Sequence, residues 1–166
     1  MKNKQVIIMV GLPGSGKSTY VKDVLLNTGL NYTVCSSDDI IDAKATELNI
    51  TNTEAFELCS RKETERAFKE KIWAAIDAGD NIIIDRTNLT EKGRSKMISY
   101  FNQRKATNYK KIAIVFDMTD LNMIYKRCED RFKSTGKYIS VATFSGMISR
   151  YDEVKINEFD EIINIK

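Results

Sequence analysis

The chain has 166 residues, 42% hydrophobic and 30% charged, with a net charge of +3; this suits one domain with a real core, residues 1–166, and leaves no room for a second catalytic domain. A sequence pI near 8.7 permits a polyanionic partner but falls short of an electrostatic footprint for nucleic acid. With no histidine, a His-containing triad and a His-ligated metal are excluded, so acid–base work falls to carboxylates, lysine or water.

Residues 1–10 carry two lysines and then only the five apolar residues Val6 to Val10, too few for a signal-peptide core or a membrane span. A strand is predicted over Gln5 to Val10. It leads into Gly11-Leu12-Pro13-Gly14-Ser15-Gly16-Lys17-Ser18, the phosphate-binding pattern G-x-x-x-x-G-K-[ST]. The glycines let successive backbone N–H groups turn inward onto phosphates, Lys17 can bridge the outer two, and the Ser18 hydroxyl can hold magnesium. A helix predicted over Ser18 to Leu26, with Val21, Val24 and Leu25 on its inner face, adds the partial charge of its N-terminus. The expected ligand is a nucleoside triphosphate.

A second strand, Tyr32 to Ser36, precedes Ser36-Ser37-Asp38-Asp39. These carboxylates stand where one can face the terminal phosphate and accept a hydroxyl proton. Equally, Ser36 or Ser37 caps the next helix and both acids merely complement its dipole. One long helix is predicted from the capping box Thr51-Asn52-Thr53-Glu54 to Gly79, with Phe68, Ile72, Ala75 and Ile76 inward. Its turn from Ser60 to Arg66 is wholly polar and faces water or a ligand.

The third strand, Asn81 to Asp85, runs into Arg86-Thr87-Asn88. A carboxylate ending an apolar strand beside a phosphate loop resembles a magnesium-supporting Asp, and Thr87 and Asn88 either orient substrate or form an Asx-type turn. Arg94 either faces the same site or is a solvated helical charge. A helix follows from near Thr90, with Met97, Ile98 and Phe101 inward, then a strand over Lys111 to Phe116. The next helix starts near Thr119, with Leu121, Ile124, Tyr125, Cys128 and Phe132 inward. On it Arg127 and Arg131 share one face at i and i+4, placed to close over a transferring phosphoryl group or to pair at the surface. Lys133 to Lys137 reads as a mobile lid. A helix over Val141 to Asp152 and a strand over Glu161 to Ile165 complete the chain.

Strands alternating with helical patterns define an α/β fold, a five-stranded parallel sheet with helices on both faces. Cys35, Cys59 and Cys128 lack the spacing of a disulfide framework and read as reduced thiols of a cytoplasmic protein.

In order and spacing GLPGSGKSTY, SSDD, IIIDRTNLTEKGR, KRCEDRF and ISVATFSGMISRYDEV resemble, over nearly the whole chain, the P-loop polynucleotide 5'-hydroxyl kinases of phage and bacterial nucleic-acid repair. The resemblance implies an α/β fold of the P-loop kinase-like three-layer sandwich type, with a five-stranded parallel sheet and an arginine-bearing lid, and ATP- and magnesium-dependent phosphoryl transfer to a DNA or RNA 5' end, with no membrane partner and the oligomeric state open. By the same resemblance Lys17, Asp38 and Arg131 are catalytic, Asp38 being the base, and Ser18 holds the metal. Gly11, Pro13, Gly14, Ser15, Gly16, Lys17, Ser18, Thr19 and Arg127 would hold the nucleotide, and Ser37, Asp85, Thr87, Asn88 and Arg94 the substrate.

The chain departs from this family at Ile41, where an arginine three residues after the base usually grips the acceptor's phosphate. Arg61, Arg66 and Lys44 are the candidates to replace it. Two other readings stand beside this one. A small-molecule kinase is favoured by Ile41, and a nucleotide-binding module without turnover is disfavoured by the presence of Asp38, Arg127 and Arg131 together.

Overall fold

Alternate residues of the first strand fall into two separate apolar clusters, and this burial on both faces puts it at the centre of a parallel sheet. In the computed structural model, which describes residues 4–166, β1 (Lys4–Val10) lies third in the order β2 (Tyr32–Ser36), β3 (Asn81–Asp85), β1, β4 (Tyr109–Phe116), β5 (Glu161–Ile165). All neighbouring pairs are parallel, with Ile8 opposite Ile84 on one side and Ala113 on the other. The five predicted strands are all present.

Among the described residues seven α-helices cover the sheet: α1 (Lys17–Asp23), α2 (Ser37–Leu48), α3 (Asn52–Leu58), α4 (Arg61–Ala78), α5 (Glu91–Gln103), α6 (Leu121–Thr135) and α7 (Val141–Ser149). Val6, Ile8 and Val10 pack with Phe68 and Ile72 of α4 and Met97 and Phe101 of α5. On the opposite face Ile7 and Met9 meet Val21 of α1, Leu25 and Phe116. A third cluster joins Leu12 and Leu89 to Ile124 and Cys128 of α6 and Phe144 of α7. Among the described residues no helix is long and apolar enough to cross a membrane.

Several expectations are corrected. The single helix from Thr51 to Gly79 is two, because Cys59 is extended (φ −72, ψ 116) and Ser60 caps α4 by accepting from the Glu63 N–H. Ser60-x-x-Glu63 repeats the spacing of the Thr51–Glu54 box and was the signal for this break. The first helix ends at Asp23 and yields to a 3-10 turn, Leu25–Asn27, which turns Val24 outward. The helix predicted to Asp152 stops at Ser149. Phe132 faces solvent instead of the core.

Arg94 is neither a solvated charge nor a substrate contact. It is 0% exposed, and its Nε and Nη2 grip both oxygens of Glu158 at 2.7 and 2.9 Å. Nη1 donates to the carbonyls of Asn88, Leu89 and Asp152, and Nη2 also to that of Glu153. The guanidinium thus ties the segment before β5 to α5 and to the turn after β3. Burial alone would raise the Glu158 carboxyl, but the Arg94 contacts hold it below the usual range.

Because removing one partner strands a buried charge, Arg94→Ala should destabilise the fold by about 3–5 kcal/mol in chemical denaturation. A loss below about 1 kcal/mol, the range of exposed ion pairs, would show that this clamp is not structural.

Candidate functional site

The carboxyl ends of β2, β3 and β1 lie side by side at one edge of the sheet, and the phosphate loop rises from β1. Its geometry needs glycine at Gly14 (φ +81), where a Cβ would stand 2.5 Å from the Ile124 carbonyl and 2.9 Å from Cys128 Sγ. The loop is therefore seated directly on α6. Cys128 Sγ donates to the Pro13 carbonyl at 3.2 Å, and burial pushes this thiol's pKa up, keeping it a donor. From the β3 side the Gly11 N–H donates to the Thr87 carbonyl at 3.0 Å, and Asn88 Nδ2 to that of Met9 at 2.7 Å. Asn88 is buried at φ +46 and also bonds Arg86 O, so it holds the loop rather than a substrate; this is the turn role. Thr87 serves the loop through its carbonyl.

At the N-terminus of α1, Gly16 is left-handed and supplies no side-chain cap, whereas α2 to α7 are all capped by side chains. The free N–H groups of its first turn suit an anion. Among the described residues, Ser15 Oγ in the loop and Arg131 Nε on α6 are the buried side-chain polar atoms without a hydrogen-bond partner. Both belong to the elements that surround the phosphate position.

Lys17 is buried and folded back, donating to the carbonyls of Gly11 and Leu12 at 2.9 and 2.8 Å. Burial lowers its ammonium from 10.5 to about 8; Asp85 and Asp38 oppose the shift and Arg131 adds to it. These charges therefore lie around one ammonium. Ser18 Oγ donates to Asp85 Oδ2 at 2.8 Å, and burial raises the Asp85 carboxyl while Ser18 and Lys17 pull it back. A hydroxyl and a carboxylate in contact are hard oxygen donors of the kind magnesium takes. Thr19 is exposed on the first turn of α1.

Ser36, not Ser37, caps α2, accepting from the Asp38 N–H at 3.1 Å. The two acids then diverge. Asp39 pairs with Lys71 of α4 at 3.1 Å, while Asp38 stays 60% exposed, with Lys137 Nζ 3.6 Å away. Ile41 is buried, so α2 offers no cation one turn on. Arg127 is exposed on α6 beside Gly14, its Cβ 3.5 Å from where a Gly14 Cβ would lie.

The segment read as a lid is structured. Lys133–Thr135 form the last turn of α6, Gly136 closes it at φ 71, and the Gly136 carbonyl accepts from Thr53 Oγ1 at 2.7 Å. Lys137, which no sequence pattern marks as a site residue, reaches Asp38 and Asp42 from there. Its partners lie too far back in the chain for any local pattern to reveal.

Clefts open on the surface of the described residues. One of about 620 Å³ borders the loop at Leu12 and runs past Met118, Leu121, Tyr151 and Ile165. Another, about 700 Å³, contains the polar turn of α4 and is lined by Lys62, Arg66, Lys69, Lys96 and Tyr100, away from the loop. Of the candidates to replace a cation at Ile41, Lys44 and Arg66 pair with Glu47 and Glu70, and Arg61 is exposed.

A Gly-rich loop cradled between strand ends and a helix carrying arginines is the architecture of nucleotide-binding P-loop domains of the kinase type, and fold and site place the protein in that class. Residues 6–154 match the family described as AAA domain, and the chain belongs to it. It is 25% identical over 175 residues to a protein of Autographa californica nuclear polyhedrosis virus named "Putative bifunctional polynucleotide kinase/RNA ligase", covering 98% of this chain and 23% of that one. A chain of the Pnkp1/Rnl/Hen1 RNA repair complex superposes with a TM-score of 0.70 at 23% identity, over 90% of this chain and 44% of that one. A sugar kinase from Janibacter sp. HTCC2649 superposes at 0.60 and 16% identity, over 98% and 84%. The solved structures share the fold. The chain spans 23% and 22% of the length of the curated relatives it matches.

In the free protein Lys17 is largely neutral between about pH 8 and 10.5, whereas in the unfolded chain it stays protonated; its contribution to stability therefore rises with pH across that window. A bound polyphosphate favours the ammonium. ATP binding in this window should thus take up a proton, visible as a dependence of the calorimetric enthalpy on the buffer's ionisation enthalpy, and Lys17→Met should abolish it. Buffer-independent enthalpies in the unsubstituted protein would contradict this placement of the lysine.

Proposed function

We propose that the chain is an ATP- and magnesium-dependent kinase that transfers the γ-phosphoryl group to the 5'-hydroxyl end of DNA or RNA, single-stranded or duplex. The observation that carries this reading is that Arg131 and Asp38 both lie close enough to act on the Lys17 ammonium of the phosphate loop, since nucleotide binding alone needs neither the carboxylate nor the second cation.

Phosphoryl transfer asks for positioning and charge stabilisation more than covalent help. Backbone N–H groups of the loop and the first turn of α1 hold the β- and γ-phosphates. Lys17 leaves its loop carbonyls for phosphate oxygens, and Arg131 brings its unpartnered Nε to the charge that develops in transfer. Arg127, one turn earlier, approaches the nucleotide from outside, and the base takes the apolar cleft beside Leu12. Ser18 and Asp85 would hold magnesium, which supplies charge neutralisation across the phosphates when bound.

The acceptor oxygen attacks the γ-phosphorus in line, the bond from that phosphorus to the bridging oxygen breaks, and Asp38 receives the hydroxyl proton. The products are a nucleoside diphosphate and a 5'-phosphate end. A second reading, a small-molecule acceptor, draws its support from Ile41, which is 6% exposed and gives α2 no grip on a phosphate.

Asp38→Asn should lower transfer by roughly 10²- to 10⁴-fold with ATP affinity little changed, because a base acts on the acceptor and not the donor. Asp39→Asn should be mild. Reversed effects would make Asp39 the base. A labelled-ATP screen over 5'-hydroxyl oligonucleotides, nucleosides and sugars decides the acceptor, and transfer to small molecules alone would overturn the polynucleotide assignment.

A further inference from the structure

We infer that the connection between α6 and α7 is an acceptor-strand site, in which Lys137 binds the phosphate that follows the terminal nucleoside and the exposed Phe132–Tyr138 pair stacks a base. This rests on the kinase reading above and adds what part of the acceptor is gripped.

The cation is held from two sides. Lys137 Nζ donates to Asp42 Oδ2 at 2.9 Å, and Asp42 also accepts from the side chain of Asn52 at the start of α3. The preceding carbonyl is pinned by Thr53. The ammonium has three donors, of which Asp42 takes one. Its 3.6 Å separation from Asp38 Oδ2 is too long for a hydrogen bond, so Asp38 keeps its lone pairs for a hydroxyl. An acceptor whose hydroxyl meets Asp38 therefore brings its neighbouring phosphate to Lys137. Among the described residues Lys137 is the only basic side chain that ion-pairs with Asp38.

The aromatic pair is the second, independent observation. Phe132 is 45% and Tyr138 61% exposed, with ring centroids 5.3 Å apart at 63°. A latch between lid and α2 needs Lys137 but has no use for two rings facing water beside it. Aromatic faces next to a cation are how proteins hold single-stranded nucleic acid, and each stacked base contributes about 1–3 kcal/mol. The opposing charges are Asp38 and Asp42 themselves, so the site favours a phosphate that arrives with its hydroxyl over a free anion.

The test uses labelled ATP and 5'-hydroxyl dinucleotides whose linkage is either a phosphodiester or an uncharged methylphosphonate. The unsubstituted protein should lose roughly ten- to hundredfold in kcat/KM with the neutral linkage, mainly through KM. Lys137→Met should show that loss with the phosphodiester and no further loss with the methylphosphonate, while Lys137→Arg keeps the discrimination. Tyr138→Ala should raise KM for both dinucleotides by about five- to hundredfold and leave the KM for ATP unchanged. A Lys137→Met variant that still discriminates, or that slows both acceptors equally as loss of a latch would, overturns the inference. Unsubstituted protein that phosphorylates dinucleotides without regard to linkage overturns it while sparing the kinase reading. Transfer to nucleosides or sugars and to no dinucleotide overturns both the inference and the polynucleotide assignment it rests on, and leaves a small-molecule kinase.

Discussion

A loop can turn a row of amides toward a polyanion only if its remaining groups are engaged elsewhere, and the site depends on that constraint. The Gly11 N–H is tied to Thr87, the Pro13 carbonyl to Cys128, and the strand end at Met9 to Asn88. Behind these straps stands Arg94, whose Nη1 holds the carbonyls of Asn88 and Leu89. A fully buried guanidinium far from the phosphates thereby governs the shape of the turn that governs the loop.

Helix α6 has two roles that pull on its sequence differently. Toward the sheet it is a wall, with Ile124 and Cys128 against the loop and Leu12. Along its outer edge it carries Arg127, Arg131 and, past its end, Lys137. A helix that is both packing surface and cation carrier keeps the charges at fixed heights above the loop, which is what preorganised charge stabilisation demands. Its C-terminal turn is in turn fastened to α3 through Thr53.

The fold was legible because the Val- and Ile-rich strands are buried on both faces, so they stand out as unbroken apolar runs between polar turns. Local chemistry misled where two signals competed. The Thr51–Glu54 box and Gly79 mark the two ends of one run, and the cap at Ser60 falls in the polar stretch between them, where no apolar spacing shows the break. At Arg94 the residue type spoke for solvent, and only the tertiary partner Glu158, distant in sequence, makes burial affordable. Lys17, Ser18 and Asp85 lie together as their spacing after β1 and β3 implies, since strand ends in a parallel sheet meet at one edge. Lys137 was not legible, because a polar connection has no periodicity from which to read its direction; Phe132 keeps the i+4 spacing of Ile124 and Cys128 on α6 yet faces out one turn beyond them.

Helix α1 has only seven residues and no side-chain cap. Helices this short nucleate poorly in isolation, so its order comes from Val21 against the sheet and from whatever completes its first turn. A bound phosphate would be, in hydrogen-bonding terms, a residue the polypeptide lacks. An occupied protein would then be more fully folded than the empty one, its ligand a structural component of the helix as well as its occupant.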